Sequence, residues 1–372
     1  MASVSDLGDG LRGKKFMITG ATGSIGGRLV ERLFIEHEAE VSALVRTFAH
    51  ASRLSRFPVE MVHGDITNEA ALDRAIDGCD AVIHCAHDHS SEDANLFAIR
   101  ALVDGCVTHG VQRLVHVSSM AVYEPLPQGL VSESLSTEPP ERLEYARAKL
   151  HTEQEALRYG AERGLEVAVV QPTLVYGPFL DYWTMQELKK LRTGKLLLPA
   201  DGLGLCNAVY VDDVVDSLFL ALERSEAVGE RFLISAEEPV PWREFYAAYE
   251  EALGVEGVAL MPTEEIEELI HQGTVGANAR MLWRDPRWLL HWAPVHRLYV
   301  WTRHHIDTRW WRRLKGAVPA PWFVPDAQRL DLYRSTARVD ITKARTLLGY
   351  QPAFSFERGM AVTRDFIRWA QL

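Results

Sequence analysis

Tyr145 and Lys149 stand four residues apart in Tyr145-Ala146-Arg147-Ala148-Lys149. Residues at i and i+4 share one helix face, so the Lys149 ammonium can sit beside the Tyr145 phenol. A neighbouring cation, with the positive ring of an oxidised nicotinamide, lowers a phenol's pKa and permits proton exchange near neutrality. Ser119, 26 residues before Tyr145, ends the apolar run Leu114–Val117 and can hydrogen-bond the oxygen that gains or loses the proton. A YxxxK spacing by itself occurs on any amphipathic helix. It gains chemical meaning here from what precedes it in the chain.

Thr19-Gly20-Ala21-Thr22-Gly23-Ser24-Ile25-Gly26 directly follows an apolar run and opens an amphipathic segment. Gly20 permits a tight turn, Gly23 lets backbone N–H groups approach a pyrophosphate, and Gly26 lets the helix pack closely on the strand. A merely structural turn is the alternative; the strand–turn–helix context favours a nucleotide. At the end of the second strand an NAD site offers a carboxylate to the ribose, but here Val45 is followed by Arg46, with Arg53 further along. A cation there pairs with a 2′-phosphate. The expected cofactor is therefore NADP(H), with NAD(H) still open and a solvated Arg46 as the plain alternative. Asp65-Ile66 closes the third strand, against the adenine or, for Asp65, as a helix cap.

These residues need a scaffold of alternating elements. Phe16–Thr19, Val41–Val45, Val59–Val62, Ala81–His84, Leu114–Val117 and Val167–Gln171 read as strands. Between them lie helical stretches over Arg28–His37, Ala70–Asp77, Asn95–His109 and Tyr145–Arg163. That alternation implies βαβ units and a parallel sheet. Beyond Gly177-Pro178 the helices lengthen and the prolines scatter. The expected division is a nucleotide-binding domain over residues 1–178, with returns at about 205–235, and a smaller lobe over 179–372.

The chain has 372 residues, a formal charge of −11 and 47% hydrophobic residues, enough for a full core and too many for a disordered chain. No apolar run approaches the roughly 20 residues that span a bilayer, and residues 1–12 do not resemble a signal peptide. Cys79, Cys85, Cys106 and Cys206 form no CxxC pair, which suits thiols in a reducing cytoplasm. The acidic balance argues against nucleic-acid binding. Residues 276–325 depart from this average, holding seven of the ten tryptophans. Between Arg280 and Lys315 there are nine Lys/Arg against two acids, so the rest of the chain carries about −18. Three readings stay open: a lid over the substrate, a peripheral contact with anionic lipid, or a partner interface. The first two imply a hydrophobic substrate. His291, His296, His304 and His305 have no carboxylate or cysteine to complete a ligand set, so no metal is expected.

Taken together, TGATGSIGG, DAVIHCAH, VSSMAVY, YARAK, PTLVYGP, YVDDV and LLGYQP make the chain resemble an extended short-chain dehydrogenase/reductase over about residues 13–370. That group includes NDP-sugar epimerases and dehydratases, 3β-hydroxysteroid dehydrogenases and dihydroflavonol reductases. The resemblance implies a Rossmann-type, doubly wound parallel α/β sheet with a smaller, mostly helical C-terminal substrate lobe, and a homodimer. It implies a catalytic Ser119, Tyr145 and Lys149, with Lys149 also on the cofactor ribose. It adds cofactor contacts at Ser24, Ile25, Ala86, His87, Pro172 and Val175, although His87 replaces the usual small residue. His84 and Asn95 also match family positions, and both read more simply as satisfied core polar groups.

Departures from the family pattern narrow the chemistry. Sugar dehydratases place acids directly after the catalytic Ser/Thr; Met120 and Ala121 stand here and cannot move a proton. NDP-sugar enzymes commonly carry an asparagine where Leu174 stands and an arginine where the spacing gives Cys206. A diphosphate stripped of water without such donors binds poorly. PTLVYGP instead resembles the hydroxysteroid and dihydroflavonol branch. The expected function is an NADP(H)-dependent oxidoreductase interconverting a ketone and a secondary alcohol on a bulky apolar substrate. The alternatives are an NDP-sugar epimerase using the same triad, and a non-catalytic nucleotide sensor.

Overall fold

The computed structural model describes residues 10–201, 204–272 and 322–372. The chain divides into two compact units. The first comprises Met1–Thr184, Asn207–Val240 and Ala337–Thr363, and the second Met185–Cys206, Pro241–Thr336 and Arg364–Leu372. The tryptophan-rich stretch lies outside the described residues apart from 322–325.

In the first unit the chain runs β1 (Lys15–Thr19), α1 (Ser24–His37), β2 (Glu40–Val45), β3 (Glu60–His63), α2 (Glu69–Ile76), β4 (Ala81–His84), α3 (Glu92–His109), β5 (Arg113–Val117), α4 (Glu144–Arg163), β6 (Glu166–Pro172), α5 (Val211–Glu223) and β7 (Arg231–Ile234). The strands form one sheet in the order β7-β6-β5-β4-β1-β2-β3, and every pair is parallel. Successive side chains alternate between its faces. Phe16 and Ile18 join Leu29 and Leu33 of α1 and Val214 and Leu218 of α5. Met17, Val82, Leu114 and Val167 point the other way, onto Leu72 of α2, Leu102 of α3 and Ala156 of α4. Because both faces are covered, the strand interiors are mostly apolar, as in parallel sheets generally.

Two helices begin earlier than apolar periodicity alone suggests, because polar caps set their starts. Asn68 accepts from Ala71 N (3.1 Å) to cap α2, and Ser91 accepts from Ala94 N (3.1 Å) to cap α3. Asp65 is therefore not the cap. Its Oδ1 accepts from Thr67 N (3.1 Å) and Thr67 Oγ1 (3.0 Å), fixing the turn after β3.

Residues 337–363 belong to the first unit, beyond the expected returns at 205–235. Hydrogen bonding accounts for this. Buried Asp213 accepts from Ala353 N (2.7 Å) and Phe354 N (3.3 Å), and Tyr350 Oη donates to the Ser235 carbonyl (2.9 Å). The second unit has its own three-stranded sheet, with Lys195–Pro199 between Val258–Met261 and Trp322–Phe323. Its apolar cluster includes Leu197, Met261, Ile266 and Leu330. Fully buried Glu187 accepts there from Tyr246 Oη (3.0 Å) and Lys190 Nζ (2.8 Å), so its charge is paired.

Burial pushes the Asp213 carboxyl up to about 7 despite its backbone donors. A carboxyl whose folded pKa lies above its ordinary value near 4 costs stability progressively as pH rises from 4 to 7. Asp213→Asn keeps an acceptor and removes the titration. The melting temperature of the variant minus that of the wild type should therefore rise from pH 4 to 7 and level off above. A difference that stays flat across this range would show that Asp213 is ionised throughout.

Candidate active site

The C-terminal ends of β1 and β4 flank the point where the sheet order reverses, which is where open parallel sheets bind ligands. A cleft of about 490 Å³ opens there. Gly20, Gly23, Ser24, Ile25 and Gly26 line one side. Gly20 adopts φ +69°, and a Cβ on it would stand 2.7 Å from Ala86 N. A Cβ on Gly26 would overlap the Gly20 carbonyl oxygen. The N-cap of α1 is Gly23, no side chain caps the helix, and its first turn holds no acid. The helix thus presents amides and a positive dipole end to the cleft, which fits the pyrophosphate of a dinucleotide.

Arg46, Asp65 and Ile66 line the far end. The Arg46 side chain is 75% exposed and its Nη1 lies 3.6 Å from Asp65 Oδ2, a weak and screened pair. Arg53 does not join it. Its guanidinium is bound to Glu31 by two hydrogen bonds (2.8 and 2.7 Å) and lies over the Phe179 ring.

Ala86, His87, Tyr145 and Lys149 line the opposite end of the cleft. Ser119 sits just outside this lining beside the Tyr145 phenol, and its Oγ accepts from Ala121 N (3.1 Å). Tyr145 is enclosed by protein groups yet 38% exposed into the cleft. Pro172 and Val175 are not among the lining residues. Pro172 is a buried strand residue opposite Ile234, and Val175 pairs with Val209 and packs on the core.

The electrostatics differ from expectation. Burial pushes the Tyr145 phenol up to about 12, opposed by the Ser119 hydroxyl. Lys149 instead donates from Nζ to the Val117 carbonyl (2.9 Å). Burial draws its ammonium down to about 8, opposed by Cys85 and Glu153. Sharing a helix face brings the two residues to one cleft, where one of the ammonium's three donors goes to the end of β5.

Sequence reasoning missed His89. Its ring stacks on Tyr145 (centroids 5.7 Å, planes 20° apart), and His87 meets both rings edge-on at 5.1 and 4.9 Å. The only signal was the histidine-rich run His84-Cys85-Ala86-His87-Asp88-His89. Buried Asn95 holds this loop, accepting from Asp88 N and donating to the carbonyls of Asp88 and Ser91, each at 2.8 Å. Asn95 is thus a satisfied core amide. His84 shares a 2.6 Å hydrogen bond with Thr19 Oγ1, and burial pushes it down to about 3, so it stays neutral.

A family profile described as the NAD dependent epimerase/dehydratase family matches residues 16–235. Over 246 residues the chain is 28% identical to 2-alkyl-3-oxoalkanoate reductase from Stenotrophomonas maltophilia, covering 62% of this chain and 73% of that protein. Over 360 residues it is 26% identical to the 4-hydroxy-2-methyl-3-oxo-4-farnesyl-3,4-dihydroquinoline-1-oxide ketoreductase of Stigmatella aurantiaca, covering 94% and 95% of the two chains. The dTDP-glucose 4,6-dehydratase DesIV from Streptomyces venezuelae, solved with NAD and TYD bound, superposes with a TM-score of 0.69 at 22% identity over 96% of this chain and 98% of its own, a likeness of fold. The profile spans more than half of the chain and the two relatives named are reductases, so the protein is an NAD(P)-dependent enzyme that belongs to the NAD dependent epimerase/dehydratase family of extended short-chain dehydrogenases/reductases.

Proposed function

We propose that this enzyme interconverts a ketone and a secondary alcohol on a bulky, largely apolar substrate, with NADP(H) as cofactor. The observation that carries the reading is the turn after Ser119. Met120 and Ala121 are both buried there, where sugar dehydratases hold the acids that remove water. With no acid at the two positions after Ser119, carbonyl–alcohol exchange is the chemistry the Ser119 and Tyr145 hydroxyls support. Leu174, buried in a strand where NDP-sugar enzymes carry an asparagine, adds support. So do the activities for which the two reductases are named, one on an oxoalkanoate and one on a farnesylated quinoline.

A nicotinamide bound in the cleft would supply or accept the hydride. Tyr145 provides the proton: a phenol held up near 12 stays protonated at neutral pH, which suits donation to an oxygen gaining negative charge. Ser119 Oγ already accepts from the Ala121 amide, so its own hydrogen is available to the substrate oxygen or the phenol. Lys149, bonded to the end of β5, would hold the ribose. The Tyr145, His87 and His89 rings give the substrate end an aromatic wall that favours apolar surface over a hydrated sugar. Arg46, mostly exposed at the adenosine end, is the group for a 2′-phosphate.

Tyr145→Phe should reduce ketone-dependent NADPH oxidation by about 10²-fold or more, the usual value of a positioned proton donor, with NADPH affinity within about twofold of wild type. Activity that survives this change sinks the catalytic reading, and turnover of an NDP-sugar with no net NADPH consumed supports an epimerase instead. Separately, Arg46→Ala should weaken NADPH binding by about tenfold or more in a fluorescence titration, from the loss of a charge-assisted contact, and leave NADH unchanged. Equal affinities for both cofactors, unmoved by the substitution, would remove Arg46 from the site.

A further inference from the structure

Glu153 lies one helical turn beyond Lys149 and two beyond Tyr145 on α4, and it is fully buried. A carboxylate in that position needs partners, and it has them. Gln171 Nε2, on β6, donates to both its oxygens (3.1 and 2.8 Å), and Arg231 Nη1, on β7, lies 3.4 Å from Oε1. Gln171 Oε1 in turn accepts from Tyr123 Oη (2.9 Å), at the end of the turn that begins with Ser119. One buried carboxylate thus ties the helix of Tyr145 and Lys149 to the strand next to β5 and to the turn of Ser119. A purely structural helix–sheet contact would be served by apolar side chains at lower desolvation cost.

We propose that Glu153 is a positioning residue of the active site, an anionic counterweight that keeps Lys149 charged in its buried seat. The inference rests on the reading that Lys149 serves the cofactor. The charged and titratable groups facing Lys149 are Cys85 and His84 on and just after β4, His87 in the following loop, His116 on β5, and Glu153 on its own helix. Burial pushes His84 and His87 down to about 3 and His116 well down, so they are neutral, and it pushes the Cys85 thiol up to about 12. That leaves Glu153 as the one group among these that can supply negative charge. Burial holds its carboxyl above the ordinary value, while the hydrogen bonds from Gln171 and Arg231 draw it back toward the ionised form.

The test needs no substrate: NADPH affinity measured by fluorescence titration between pH 6.5 and 9.5. Binding that depends on the Lys149 cation should weaken as pH rises past about 8, and Lys149→Met should abolish that alkaline limb. In Glu153→Gln, which keeps a hydrogen-bonding side chain and removes the charge, the limb should move down by about half a unit or more. Glu153→Asp, which keeps the charge, should return the limb most of the way to its wild-type pH. A limb at the wild-type pH in Glu153→Gln, or a wild type with no limb, overturns the proposal; a structural role alone would lower the melting temperature without moving the limb. If Glu153→Gln does not fold, Arg231→Gln serves in its place, at a side chain 30% exposed, and should move the limb in the same direction by weakening the carboxylate's hold on its charge. If the limb behaves as stated while no ketone is reduced, the function proposed above fails and this inference stands.

Discussion

Thr19 and His84 meet at the ends of β1 and β4, paired in register, with a 2.6 Å hydrogen bond between their side chains. Everything in the site follows from how these two strands part. Just beyond them the chain turns into the glycine loop on one side and into Cys85-Ala86 on the other. Ala86 N also donates to Thr19 Oγ1 (3.2 Å), so a single hydroxyl fixes both exits. The tolerance is small: a Cβ on Gly20 would press into the Ala86 amide. The cleft is the gap this arrangement leaves, and its position needs no contribution from a ligand.

The same row explains the site's electrostatics. His84 stands beside His116 on β5 with rings stacked at 5.2 Å, and Lys149 reaches the Val117 carbonyl at the end of that strand. Three basic groups buried together cannot all be charged. Burial and the lysine's own field keep the imidazoles neutral, and the cation settles on Lys149, the strongest base, at the cost of a depressed pKa. The phenol of Tyr145, at the cleft rather than within the row, is shifted the opposite way by the same cause. Desolvation disfavours whichever form is charged, so one environment raises an acid and lowers a base.

The scaffold was legible because its signals are local and redundant. Most strands of the sheet are short apolar runs, the helices carry apolar faces, and Gly20 and Gly26 sit where backbone contacts admit no side chain. What stayed hidden are choices made among partners distant in sequence. Arg53 looked free to meet a phosphate and is held by Glu31, 22 residues away. Lys149 looked free to meet Tyr145 and is held by Val117. Residues 337–363 looked like part of the second lobe, and their backbone amides close on Asp213 140 residues earlier. His89 reached the site only through the turn that Asn95 holds. In each case the spacing specified a residue that could act, and long-range hydrogen bonding decided what it touched.

The Ser119 turn shows how that division bears on chemistry. Its hydroxyl accepts the amide of Ala121, a bond written into the geometry of the short helical turn Met120–Tyr123. A hydroxyl engaged as an acceptor keeps its hydrogen for one other oxygen, and the Tyr145 phenol is within reach. Donation from Ser119 stabilises whatever negative charge grows on that oxygen, which is why the contact opposes the upward shift of the phenol. The residues that set this geometry, Met120 and Ala121, are also the ones that leave the position beside it without an acid. A turn that orients one hydroxyl while offering no second proton-transfer group favours exchange of a single proton with a carbonyl oxygen over removal of water from a neighbouring carbon.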